Sequence, residues 1–394
     1  RQGRLWIGGK TKGLQLFDKK TQQFFNYQHN PSQEGSIADD NIRCIYIDKT
    51  GKSWMGTTKG ISVSNPLQQQ FVQTFLPVVT GNNNDISIYD FYTDEKGDLW
   101  VGASNGIYIK KKGRDNFIFK SLSYKGSPLA VSRFFEDSRG VFYIGTNYSL
   151  FIYNRTAHTI QLLPNTEKDQ VMNKIIASRV VSITEDTIDG HPAIIVSPYG
   201  HFLAYYDWVR QQWVSRRDSV RNIIESFNIK DNLVRKLYKT KSGDIWLANT
   251  QEGLGEWITN SLPHIQFYKN DPYKKDGLSN NHVYDITEDA QQNLWISTYG
   301  GGLHYMDIKT KKINHIPATG NLLEGLSSDG KGNIWMISNG NLQRYNTQSK
   351  SSSFFHLPDL EKTGGVSGYI YRDDNGYMYM AGKNYFISFH PDSI

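Results

Sequence analysis

The sequence predicts an all-β chain, a β-propeller of four-stranded antiparallel blades, on three observations. One motif recurs nine times: glycine, a polar residue, an aliphatic, an aromatic, an aliphatic and a small residue, then a glycine with an aliphatic. Its spacing is near 47 residues, from the 373 residues separating Trp6 and Tyr379 over eight intervals, which is the period of a propeller blade. Aromatic residues form 13% of the 394 positions and glycine supplies 35 of them, while helical periodicity is nearly absent.

The elements follow in order from this grammar. Trp6, Trp54, Trp100, Trp246, Trp295 and Trp335 hold the aromatic place, Tyr143 and Tyr379 take it in two copies, and the copy at Gly190 carries an aliphatic there. One period, read in full, gives strands over 282–287, 293–298, 303–306 and 312–316, joined by short turns. The motif aromatic falls on the second strand, where it can wedge between neighbouring blades, so these residues are structural. The glycine after that strand supplies the positive φ of a tight hairpin. Residues 218–231 are the best local helix candidate, and an inserted loop fits them equally. Trp208, Trp213 and Trp257 lie outside the motif and read as packing in outer strands.

The blade count has two readings. Copy one lacks its first strand and copy nine its fourth, and copies two and nine both end in a turn with proline, Asn65-Pro66 and His390-Pro391. Residues 1–66 are therefore expected to be the tail of a preceding propeller. Residues 67–394 are expected to form a seven-bladed one, closed by a strand over 71–75 in the blade of Tyr379. The alternative is one eight-bladed ring closed by Phe24-Phe25-Asn26-Tyr27.

Composition narrows the chemistry. The 44 basic and 38 acidic side chains leave a net charge of +6, spread without a polybasic block, so no nucleic-acid footprint is expected. No apolar run approaches the roughly 20 residues of a membrane span. The single cysteine, Cys44, excludes an intrachain disulfide and reads as a small buried residue. The ten histidines are scattered, and no metalloprotease, nucleophile-elbow or phosphate-loop motif occurs, so no catalytic residue, metal or cofactor is assigned. The pairs Glu185-Asp186, Glu288-Asp289 and Asp373-Asp374 recur at one turn and read as solvated turn formers. The first residues already sit inside the repeat, so the chain is expected to be cut from a longer protein.

The tract at 94–107, Asp-x-x-Gly-x-aliphatic-Trp-aliphatic-Gly, resembles the two-component-regulator propeller repeat, as does Gly277-Leu278-Ser279-Asn280-Asn281-His282-Val283 leading to Asp289 and Trp295. The resemblance extends over all nine copies. It implies the periplasmic sensor region of a hybrid two-component system of Bacteroidetes, in which two seven-bladed propellers precede a β-sandwich, a membrane helix and a histidine kinase. It further implies an oligosaccharide ligand derived from complex glycans, control of polysaccharide-utilisation genes, a homodimer, and membrane attachment only through regions C-terminal to Ile394. A propeller lyase or hydrolase and a protein-interaction scaffold are the competing classes.

A sugar site needs aromatic faces for C–H patches and Arg, amide or carboxylate groups for hydroxyls. Two loops on one propeller face are the natural place, and the residues there stand outside the repeat grammar. Arg179 and His282 lead into first strands, and Arg235 follows Val234 by one position. Tyr199, His201 and Tyr299, with Tyr148 and Glu252, lie between second and third strands. These are the candidate ligand-binding residues: Arg179, Tyr199, His201, Arg235, His282 and Tyr299.

Overall fold

The computed structural model describes residues 4–19, 22–29, 36–49, 52–64, 71–78, 85–165, 170–214, 233–258, 264–273, 276–317, 319–355, 357 and 366–394. The expected helix or loop at 218–231 lies outside them. Two compact units result, Arg1–Val72 with Ser393–Ile394, and Gln73–Asp392.

Among the described residues, the larger unit holds seven four-stranded antiparallel sheets. Their first strands are Ile88–Thr93, Val131–Glu136, Val180–Ile188, Val234–Lys239, Val283–Glu288, Leu323–Ser328 and Ser367–Arg372. Each first strand adjoins the first strand of the next sheet, and Ser367–Arg372 returns to Ile88–Thr93. These sheets thus circle one axis with their first strands innermost, and the fold is a β-propeller. In the fifth sheet the strands are Val283–Glu288, Leu294–Thr298, Gly302–Met306 and Ile313–Ile316, each bound within one residue of the sequence reading. The seventh takes Ser367–Arg372, Met378–Ala381 and Tyr385–Phe389 from the end of the chain and Val72–Phe75 from near its start. Beyond this strand the Leu76 amide donates to the Asn384 carbonyl at 2.9 Å. Gln23–Tyr27, the segment that the eight-bladed alternative uses for closure, instead pairs with Leu14–Asp18.

The second-strand aromatics pack between sheets. The Trp100 ring lies 5.7 Å from Phe142, Trp295 lies 5.7 Å from Tyr345 and Trp335 lies 5.0 Å from Phe389, in each case in the following sheet. An aspartate six residues earlier fixes each ring. Asp94 Oδ1 accepts the amides of Lys96 and Asp98 in the turn, and its Oδ2 accepts the Trp100 indole N–H at 3.0 Å. Asp289 binds Trp295 in the same way at 2.9 Å and Asp137 binds Tyr143 at 3.0 Å. The fourth sheet has Thr240 at this place, and the Trp246 N–H is buried there without an acceptor among the described residues. In the third sheet, where the motif aromatic is missing, Asp186 instead accepts the indole of Trp257 from the next sheet at 3.1 Å.

These contacts correct one expectation. The turn acids Asp289 and Asp373 are buried rather than solvated, because the turn folds onto the indole or phenol that each binds, and Glu288 is buried with its Oε2 accepting the Lys241 amide at 3.0 Å, whereas Asp374 is exposed as expected. Gly106 and Gly253, which open third strands, adopt φ of 140° and 87° and face a fourth-strand carbonyl so closely that a Cβ would collide with it. A seven-residue helix, Gln170–Ile176, lies before the third sheet and was not anticipated from periodicity.

The smaller unit holds two three-stranded sheets, Arg4–Gly8 with Leu14–Asp18 and Gln23–Tyr27, and Ile42–Ile47 with Ser53–Thr57 and Gly60–Ser64. Its Trp54 keeps the bond to Asp48 at 3.0 Å yet is 40% exposed, against 3% for Trp100. Cys44 is exposed, contrary to the expectation of a buried residue. It occupies the third position of its first strand; the matching Ser182 and Asp285 of the larger unit are buried because each reaches an amide of the next sheet.

Candidate ligand site on the ring axis

The first strands share a departure from regular pairing. Partner registers jump between Ile88 and Asp90, Val131 and Arg133, Val180 and Ser182, Val234 and Lys236, and Val283 and Asp285, so the second residue of each strand is bulged. A bulge breaks the simple alternation of faces and re-aims the side chains beside it. Positions two and three of different strands therefore both turn toward the axis.

Third-position side chains staple one sheet to the next. Asp90 Oδ2 accepts the Phe134 amide at 2.7 Å, Ser182 Oγ that of Leu237 at 2.9 Å, and Asp285 Oδ2 that of Leu326 at 2.8 Å. Lys236 crosses to Asp285, with which it forms an ion pair, and donates to the Ile286 carbonyl at 2.9 Å. Gly325 takes this position in the sixth sheet, where a Cβ would meet the Gly368 carbonyl at 2.6 Å.

Around the axis these strands enclose a cavity of about 500 Å³, within the usual range for small-ligand sites. Its wall includes Tyr89, Asp90, Arg133, Arg179, Tyr199, Arg235, Tyr284 and Tyr369. Three guanidinium groups each lie over a tyrosine ring from another sheet: Arg179 on Tyr89 at 4.7 Å, Arg235 on Tyr284 at 4.3 Å and Arg133 on Tyr369 at 4.3 Å. Such stacking holds the planar group by its face and leaves its N–H edge available. Arg133 directs Nη1 to the carbonyls of Tyr89 and Ser132 at 3.0 and 2.6 Å. The Tyr369 hydroxyl donates to the Arg235 carbonyl at 2.8 Å, tying the seventh sheet to the fourth across the axis.

Burial pushes the Asp90 carboxyl up to about 6, against the opposing pull of Arg133, two backbone amides and Lys236. Burial likewise pushes the Tyr284 hydroxyl up to about 12, so it remains a neutral donor. Because Asp90 ionises at 3.8 when unfolded and about 6 when folded, the native state holds the extra proton between these values. Stability then falls as pH rises through that window, by up to about 3 kcal/mol. Asp90→Asn keeps an oxygen for the Phe134 amide and removes the charge. The variant is expected to exceed the parent chain by about 1–3 kcal/mol at pH 7.5, with the gap closing near pH 4.5. Urea denaturation at both pH values checks this, and an equal gap at both would refute the assigned cause.

Of the six residues singled out by sequence, Arg179, Tyr199 and Arg235 line the cavity. His282 and Tyr299 do not, but their rings lie 5.5 Å apart and 6.4 Å from the Tyr284 ring, whose face carries Arg235. His201 is outside the lining, and burial lowers its pKa. Glu252 pairs with Lys269, and Tyr148 packs on Tyr124 at 5.4 Å. Sequence reasoning missed Tyr89, Asp90, Arg133, Tyr284 and Tyr369. Their common signal is the polar or aromatic residue at positions two and three of a first strand, which is visible once the strands are aligned on the bulge. Among the described residues no cluster of three or more His, Cys, Asp or Glu could hold a metal. The buried His304 is held near a pKa of 4 by burial and by His315, and its Nε2 accepts the Ser279 amide at 2.9 Å.

Propeller fold and repeat define the class of this chain, and comparison with known proteins agrees with both. Residues 277–300 match the family model of the two component regulator propeller, so that repeat is present here. Histidine kinase P4 of Formosa agariphila is 25% identical over 258 residues, which are 62% of this chain and 18% of that protein. The chain therefore spans less than a fifth of the curated relative it matches. Among solved structures, the extracellular domain of BT4673 from B. thetaiotaomicron, described as a hybrid two component system, aligns with a TM-score of 0.63 and 16% identity, over 98% of this chain and 51% of that one. YCF48 from Cyanidioschyzon merolae aligns with a TM-score of 0.58 and 11% identity, over 82% of this chain and all of that one. At these identities the structural likenesses concern the fold. Among the described residues no helix is long and apolar enough to cross a membrane.

Proposed function

We propose that this chain is the ligand-sensing, non-catalytic part of a hybrid two-component sensor kinase, and that it binds an oligosaccharide released from a complex glycan in the axial cavity. The observation that carries the reading is the convergence of Arg133, Arg179 and Arg235, each stacked on tyrosine, around one cavity of ligand size. Aromatic faces suit sugar C–H patches and guanidinium edges suit hydroxyl and carboxylate oxygens. The relatives support the setting: one is named a histidine kinase, and another is the extracellular domain of a hybrid two component system. The ectodomain is then periplasmic and acts as a homodimer. The ligand favours one arrangement of the chains by binding it more tightly, and that preference crosses the inner membrane to control polysaccharide-utilisation genes.

In this reading residues 67–394 are a seven-bladed propeller, and residues 1–66 are the last blades of a preceding one. The exposure of Tyr46, Trp54, Ile61 and Val63 supports the second part, since the matching residues of the larger unit are covered by a neighbouring sheet.

Titration calorimetry of the chain against oligosaccharides from several plant and host glycans tests the proposal. One defined fragment is expected to bind without turnover. Arg179→Ala and Arg235→Ala should each weaken it by about 10- to 100-fold, the worth of one charge-assisted hydrogen bond, with little change in melting temperature. Shortened products, or affinity unchanged in both variants, would overturn the reading.

A further inference from the structure

We propose that the axial cavity is an anion site, and that the ligand it selects is an acidic oligosaccharide whose carboxylate or sulfate group sits among Arg133, Arg179 and Arg235. The inference rests on the sugar-sensing reading and sharpens it by naming the ligand's charge.

The charge inventory around the axis points one way. Lys383, at the rim, is paired with Asp85 at 2.9 Å, and Lys236 is paired with Asp285, so neither needs a further counter-ion. The three arginines form no ion pair with a carboxylate among the described residues. Among the described residues Asp90 is the one acid in the cavity wall, and its Oδ2 is already bonded to the Phe134 amide. Glu324, in the sixth sheet, likewise turns its Oε2 to the Gly368 amide at 3.2 Å. Positive charge is therefore in excess, in a confined space where like charges repel more strongly than in open water.

Donor geometry points the same way. Arg235 Nε is buried with no acceptor among the described residues. The Arg179 guanidinium has a tyrosine face on one side and no hydrogen-bond acceptor among the described residues. A buried donor left unsatisfied is costly, and a guanidinium edge is shaped for a two-oxygen anion. Among the described residues only Arg133 spends a donor on the protein itself, at the Tyr89 and Ser132 carbonyls. An anion reaching the axis would satisfy the free donors and neutralise the excess in one step. Tyr199, 59% exposed at the cavity mouth, offers a ring face for the sugar that carries it.

The experiment measures binding to the 394-residue chain of four probes at low ionic strength: a uronate disaccharide, a sulfated disaccharide, a neutral disaccharide and sodium sulfate. At least one acidic disaccharide is expected to bind about tenfold or more tightly than the neutral one, and the uronate and sulfate arms show which anion is preferred. Arg179→Ala and Arg235→Ala should erase that advantage, whereas Asp90→Asn, which removes the opposing carboxylate, should widen it. A neutral disaccharide that binds as tightly as both acidic ones would overturn the anion site while leaving the sugar sensor standing. Sulfate binding that is lost in the arginine variants, with no disaccharide bound, would support the anion site and sink the sugar reading. An acidic advantage that survives both arginine variants would also overturn the proposal.

Discussion

Trp295→Ala is expected to destabilise the larger unit by about 3–5 kcal/mol, the range for deleting a buried large aromatic. The side chain is 4% exposed, its ring meets Tyr305 edge-on at 5.1 Å and Tyr345 of the next sheet at 5.7 Å, and its N–H satisfies Asp289. Removing it opens a cavity between two sheets and leaves a buried carboxylate oxygen without its donor. Trp295→Phe separates these effects, because it keeps most of the packing and loses the bond, at a cost of about 1–3 kcal/mol. Trp54→Ala is the natural control. The same motif and the same aspartate bond are present, but the ring is 40% exposed, so the loss should be less than half that of Trp295. Urea midpoints of the three variants decide it. Equal losses at Trp295 and Trp54 would mean that the motif acts within one sheet and that packing between sheets contributes little.

Deleting residues 1–76 is expected to be more damaging than any single substitution outside the core. It takes away Val72–Phe75, the fourth strand of the seventh sheet, together with Leu76, which is 4% exposed and bonded to Asn384. The contact of the Phe75 ring with Tyr385 at 5.7 Å goes with it. Tyr385–Phe389 would then become an open edge with its outer row of amides and carbonyls unpaired, a template for association with other chains. Other ties remain before that strand, where the Asn384 amide donates to the Ile86 carbonyl at 2.9 Å and Ser87 bridges Lys383, but they do not cover that edge. The truncated chain should lose more than about 3 kcal/mol of stability and tend to aggregate, whereas a chain beginning at residue 67 should keep the larger unit folded. Thermal unfolding and light scattering of the two truncations read the difference. Equal stability of both would show that the sheet does not depend on its borrowed strand.

The fold was legible because its information is local and repeated. Trp100, Trp295 and Trp335 each stand six residues after an aspartate, and turn, indole and strand are all set within a dozen residues. Where that grammar lapses, the structure improvises across sheets. Asp186 borrows Trp257 from its neighbour, and Trp246 opposite Thr240 has no acceptor among the described residues. Neither outcome is visible in one copy read alone. The misreading of the turn acids as solvated has the same origin, since whether Asp289 faces water depends on an indole folding over it.

The candidate site was legible only in part. Arg179 stood out as a charged residue at a variable position leading into a first strand, Arg235 as a charged residue one position beyond Val234, and Tyr199 as an aromatic in a loop. Tyr89, Arg133, Tyr284 and Tyr369 did not, because alternation assigns each a face of its own strand and the bulge then turns it toward the axis.

By itself the amino-acid sequence determined the repeat, the strand order within a sheet and the residue that wedges between sheets, since these depend on neighbours a few positions apart. The tertiary structure decided which side chains meet. Arg179 reaches Tyr89, Arg235 reaches Tyr284 and Arg133 reaches Tyr369 only after the sheets have closed about an axis, and no spacing along the chain encodes that meeting point.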